Sequence, residues 1–146
     1  ATEYKNLGVE IETISPEITL EQIGRITPEV KTAVIGYGHI PVMLVKACPL
    51  QNVRTCGECN GKGFLTDRKG MKLPVLCHGK IAGYREIFNP VPLYLGDRIK
   101  EIKADFVSLN FTVENKAQVA LIIKKFLAGE KFGGDFTRGL YYKASL

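Results

Sequence analysis

All four cysteines of the chain fall between positions 48 and 77, within KACPLQNVRTCGECNGKGFLTDRKGMKLPVLCHGK at 46–80. Their spacing is C-x7-C-x2-C-x17-C. If these thiols share one ion, separate stretches of chain must meet at one point, and this limits the fold more than any other feature. Cys56 and Cys59, in CGEC, are close enough in sequence to share an ion. Cys48 and Cys77 arrive from the two flanking apolar stretches and would close a four-sulfur site. Four unrelated thiols are a competing reading, against which the clustering of all four within 30 residues weighs. Two disulfides are not needed by an unexported chain with an ordinary core. Four thiolates suit tetrahedral zinc or an iron–sulfur cluster. Zinc ribbons usually pair their cysteines twice, so one close pair with two single cysteines leans towards a cluster. His78, next to Cys77, offers an outer donor or an alternative zinc ligand; an ordinary surface histidine is the simpler reading of both His78 and His39.

The chain around this stretch reads as α/β. GVEIETIS (8–15) is an expected strand, TLEQIGRI (19–26) a short helix capped by Thr19, and TAVIGYG (32–38) a second strand. IPVMLVKA (40–47) is extended, and Pro41, which lacks an amide donor, places it at a strand start or a sheet edge. FLT and MKLPVL flank the turn DRKG as a hairpin over 63–76, with Gly70 free to take a positive φ. YREIFN (84–89) is a further strand. PLYLGDRIKEI (92–102) is expected to be helical, with Leu95, Ile99 and Ile102 on one face. DFVSLNFT (105–112) is a strand. NKAQVALIIKKFLAGE (115–130) is a helix whose Val119, Ile122, Ile123, Phe126 and Leu127 follow the amphipathic spacing, with Gly129 at its end. Helix, strand and helix in succession imply parallel αβ units. The expectation is a single domain over 1–146, with a cysteine-bearing, hairpin-rich β insertion at 46–90.

Composition bounds the function. Hydrophobic residues make up 45% and charged residues 24%, as in ordinary globular domains. No run is long enough to span a membrane, and the first residues lack the pattern of a signal peptide, so a cytoplasmic protein is expected. The net charge is +5. It fits either a solvated basic surface or a polyanionic partner, most plausibly RNA. No metalloprotease, nucleophile-elbow or P-loop motif is present. Asp67 and Arg68 read as a turn or a local ion pair. Asn110, Thr112 and Glu114 lie at the carboxyl end of an expected parallel strand, where active sites collect in barrels. Thr112 and Glu114 serve equally well as caps of the next helix.

Taken together, GHIPVMLVKACPL (38–50), C-x2-C at 56–59, LTDRKGMKLPV (65–75), EIFNPVPLYLGDRI (86–99), FTVEN (111–115) and FTRGLYYK (136–143) resemble the collagenase-like peptidases, peptidase family U-thirty-two. GVEIETISPEITLEQI (8–23) resembles that family's opening segment as well. The resemblance implies part of a (β/α)-barrel-like domain with a β-rich insertion, matching the later half of a longer catalytic domain. An incomplete barrel would expose an apolar sheet face, so either self-association into a homo-oligomer or an unusual closure is expected. The family label implies a peptidase, but the sequence offers no nucleophile for one. Other relatives are associated with RNA base hydroxylation, on tRNA or rRNA, and with oxygen-independent hydroxylation in quinone synthesis. These hold a 4Fe–4S cluster on four cysteines, which here implies Cys48, Cys56, Cys59 and Cys77 as ligands. Zinc on the same thiols, as a structural staple, is the alternative. Arg68 and Arg138 are the expected contacts to an anionic substrate or RNA phosphate. Leu140 stands where the family's TRGHFYRG motif carries a histidine, which weakens the expectation of enzymatic activity.

Overall fold

A computed structural model describes residues 2–52, 55–79 and 82–143. The protein is mixed α/β, with more sheet than helix, and divides into two compact units. One comprises Ala1–Gly38 with Pro92–Leu146, the other His39–Val91.

The first unit is built on β2 (Lys31–Gly38), which is buried along most of its length. β1 (Ile11–Thr13) pairs with its first half in parallel, and β7 (Leu93–Tyr94) pairs antiparallel with its end. β8 (Phe106–Asn110) runs parallel to β2 along its other side. A strand with neighbours on both sides and both faces covered reads as a continuous apolar run, as TAVIGYG does. The register of β2 on β8 slips by one residue at Gly36, between Ile35 and Tyr37. That extra residue must be glycine. A Cβ there would lie 2.3 Å from Val107 Cγ1 and 2.7 Å from Phe126 Cζ. The slip directs the Ile35 amide to the hydroxyl of the buried Tyr141, 3.1 Å away.

α1 (Thr2–Asn6) and α2 (Leu20–Ile23) are short. Thr19 caps α2 as expected, in a reciprocal box with Gln22. α3 (Lys116–Leu127) is capped by Asn115 through the same box with Gln118. The cap is therefore Asn115, not Thr112 or Glu114. Glu114 instead accepts from the Tyr37 hydroxyl at 2.7 Å and from the amides of Thr112 and Val113. Burial pushes its carboxyl up, but these hydrogen bonds outweigh burial and hold it below its usual value. The core joins Tyr37, Tyr94, Ile122 and Phe126, with Phe111, Phe132 and Phe136 against them. Only Ile122 and Phe126 of the predicted stripe are fully buried. Ile123 is at the exposed margin, and Leu127 projects into solvent.

The helix predicted over 92–102 is not formed as such. Leu93, Tyr94 and Leu95 are wholly buried, and the first two pair with Gly38 and Tyr37 as β7. A 3₁₀ segment follows at Gly96–Glu101, broken at Arg98 (φ −122°). The apolar spacing of a helix is present here, but burial against β2 fixes an extended backbone first.

The second unit is a four-stranded antiparallel sheet in the order β3, β6, β5, β4. These are β3 (Pro41–Val45), β6 (Arg85–Phe88), β5 (Lys72–Cys77) and β4 (Lys62–Thr66). Pro41 begins β3, and β3 is an edge strand. The hairpin β4–β5 turns on Asp67, whose Oδ1 accepts from the Lys69 and Met71 amides, each at 2.8 Å. Gly70 takes φ +79° in that turn. The core of this unit is small: Leu50, Val75 and Ile87, packed by Val45, Cys48, Leu65 and Leu73. The unit is wider than the expected 46–90 insertion because β3 pairs with β6 inside it.

Candidate metal centre

Sheet register brings the three cysteine-bearing segments to one end of the second unit. Val45 pairs with Arg85, and Arg85 pairs with Cys77. Leu76, beside Cys77, pairs with Lys62. The end of β3, the start of β6, the end of β5 and the start of β4 therefore form one row. Cys48 lies three residues beyond that row on one strand, and Cys59 three residues before it on another. Cys77 is in the row itself.

The connecting loops are tied back to the sheet. The Lys62 amide donates to the Cys59 carbonyl at 2.9 Å, and the Cys77 amide to the Gly61 carbonyl at 2.8 Å. Asn60 and Gly61 both take positive φ, at 45° and 75°. These left-handed residues turn the chain from CGEC into β4. Across CGEC, the Glu58 carboxylate accepts from the Thr55 hydroxyl at 2.7 Å and from the Thr55 amide at 3.2 Å.

All four thiols are free. Cys48, Cys59 and Cys77 are half-buried, and Cys56 is exposed. The Gly79 amide donates to Cys77 Sγ at 3.4 Å. Cys59 Sγ faces the Cys56 carbonyl at 3.9 Å. Among the described residues, no three His, Cys, Asp or Glu side chains are gathered in a metal-holding arrangement. Topology thus assembles the segments, while the sulfurs stand apart. The donor set and its placement fit a four-thiolate centre in two respects. The cysteine-bearing segments leave the sheet at one end, and the buried Nε of Arg85, at that same end, has no hydrogen-bond partner among the described residues.

Both histidines have partners. His78 Nε2 lies 2.9 Å from Glu86 Oε2, and its ring stacks on Tyr84. His39 Nδ1 lies 2.8 Å from the Asn89 carbonyl. Arg68 is exposed in the β4–β5 turn. Arg138 belongs to the first unit. It forms a two-pronged bond to Asp97, at 2.6 and 2.7 Å, donates to the Tyr94 carbonyl and lies over the Phe136 ring. It lines an open hollow of about 440 Å³ with Arg98, Thr137, Gly139, Tyr142 and Lys143. Sequence reasoning missed Arg85, Glu86 and Tyr37. The only signal for Arg85 and Glu86 is their place opposite the last cysteine once the hairpin register is drawn.

The Arg138 hydrogen bond holds the Asp97 carboxyl below its ordinary value of 3.8. Its contribution to stability is complete above that value and is lost as pH falls through the depressed one. The urea midpoint of the wild type is expected to drop between pH 7 and pH 3. Asp97→Asn should lower the midpoint at pH 7 and shrink that drop. A drop of the same size in the variant would show that the pair carries no acid sensitivity. Glu114 shares the direction of shift, so some slope should remain.

Comparison of the chain with protein-family models, with curated proteins and with solved structures finds no match.

Proposed function

We propose that this chain is the cysteine-bearing part of an RNA base hydroxylation enzyme related to the collagenase-like peptidases. Cys48, Cys56, Cys59 and Cys77 would hold a 4Fe–4S cluster. One observation carries the proposal: four free thiols sit on segments that meet at a single sheet end. Parallel pairing of β1, β2 and β8, with α3 following β8, supports a wall of a (β/α)-barrel as the setting. A cluster at that position supplies one-electron transfer. The chain's own residues supply the rest. The β4–β5 and β5–β6 pairings position the ligands. Arg138 presents a guanidinium, fixed by Asp97, to an anionic group such as an RNA phosphate. Arg68 adds an exposed charge at the hairpin tip. Self-association would complete the barrel.

A zinc staple is the second reading. The small core of the cysteine-bearing unit favours it, because a metal would add folding energy where apolar burial is limited. Anaerobically purified protein separates the two. About four iron and four sulfide per chain, with a broad visible band, is the expected result. About one zinc per chain without that band would replace the hydroxylase proposal with the staple.

A further inference from the structure

Arg85 carries a charge that no described residue matches as an ion pair. It is half-buried at the start of β6. Its Nη1 donates to the Lys46 carbonyl, two residues before Cys48. Its Nε is buried and has no hydrogen-bond partner among the described residues. Among the described residues, no carboxylate lies within ion-pair distance of its guanidinium. Glu86, its neighbour in sequence, pairs with His78 instead. A half-buried guanidinium with an orphaned donor is costly unless something anionic faces it.

What faces it is Cys77. The two residues are register partners on adjacent strands. A Cβ added at Gly79 would lie 2.7 Å from Arg85 Nη2 and 3.1 Å from Cys77 Sγ. Guanidinium and sulfur therefore border the same methyl-sized space, kept open by a glycine. Cys77 Sγ already accepts the Gly79 amide. The sulfur thus sits in a nook lined by donors. Four thiolates around either zinc or an oxidised 4Fe–4S cluster leave a net negative charge of about two.

We propose, resting on the four-thiolate reading above, that Arg85 is a positioning residue of the centre. It would supply the counter-charge, donate through Nε to a sulfur, and brace the Cys48 arm against the Cys77 arm. Positive charge beside a cluster favours its reduced, more negative state. Arg85→Met is therefore expected to shift the reduction equilibrium of the iron-loaded chain about tenfold towards the oxidised form, about 59 mV for one electron. Arg85→Lys, which restores the charge without the fork, should recover most of that shift. Both variants should release metal to a chelator faster than wild type, by about tenfold for Arg85→Met. Release rate is the readout if the loaded metal is zinc.

An Arg85→Met variant with full metal content and wild-type potential and release rate would overturn the role of Arg85 and leave the four-thiolate reading standing. A wild-type chain that takes up neither iron with sulfide nor zinc would overturn both. If circular dichroism shows Arg85→Met to be unfolded, Arg85→Lys decides: faster release supports the role, and wild-type release removes it.

Discussion

Phe126→Ala is expected to lower the unfolding free energy by about 3–5 kcal/mol, towards the top of that range. The ring is 3% exposed and meets Tyr94 edge-on, with centroids 5.7 Å apart. It also reaches two glycines. A Cβ at Gly36 would lie 2.7 Å from Phe126 Cζ, and one at Gly96 would lie 3.1 Å from Phe126 Cδ2. Backbone, not side chain, forms those parts of the wall. Removing the ring leaves a void beside hydrogen-bonded strand, which cannot collapse as a flexible side chain would. Against a typical total of about 5–15 kcal/mol, such a loss would leave the unit marginal. Leu127→Ala, one position on, is the control. That side chain is 79% exposed, so its removal should change stability by no more than about 0.5 kcal/mol. Urea unfolding of the two variants, compared at constant slope, checks both. A loss below about 1 kcal/mol for Phe126→Ala would mean that α3 does not anchor this core.

The contrast between Phe126 and Leu127 also marks what the sequence could tell. Periodicity located α3, short apolar runs located β2 and β8, and turn chemistry located the β4–β5 hairpin. These are local signals, carried by neighbours in the chain. The helical face was drawn too wide, because period alone does not say how much of a face has a partner. The segment 92–102 misled for a related reason. Its apolar spacing suits a helix, but pairing with Gly38 and Tyr37 decides its first residues, and those partners lie more than fifty positions away. Glu114 shows the same limit at a side chain. Near a helix start it looks like a cap, yet it accepts from the Tyr37 hydroxyl on β2, far away in sequence. At the candidate metal centre, the four thiols proposed as ligands were legible from their clustering in the sequence. That Arg85 stands opposite Cys77 was not, because it follows from the register of β5 on β6.

Changing any one of Cys48, Cys56, Cys59 and Cys77 to serine is expected to lower metal affinity by more than about 100-fold. That exceeds the effect usual for residues that only support ligands. Sensitivity at all four positions is the mark of one shared centre, since unrelated thiols would tolerate single replacements. The metal-free protein should separate the four. Cys56 is exposed in the CGEC turn, so Cys56→Ser should leave metal-free stability within about 0.5 kcal/mol of wild type. Cys48 packs against the Leu50, Val75 and Ile87 cluster, so a hydroxyl there should cost about 1 kcal/mol or more without any metal present. Metal content by elemental analysis and urea midpoints after chelation give the two readouts independently. Equal loss of metal with unequal loss of metal-free stability would assign the thiols to ligation, because packing alone cannot make the exposed Cys56 matter as much as Cys48. Wild-type metal content in Cys56→Ser would break the four-thiolate reading at its most exposed position.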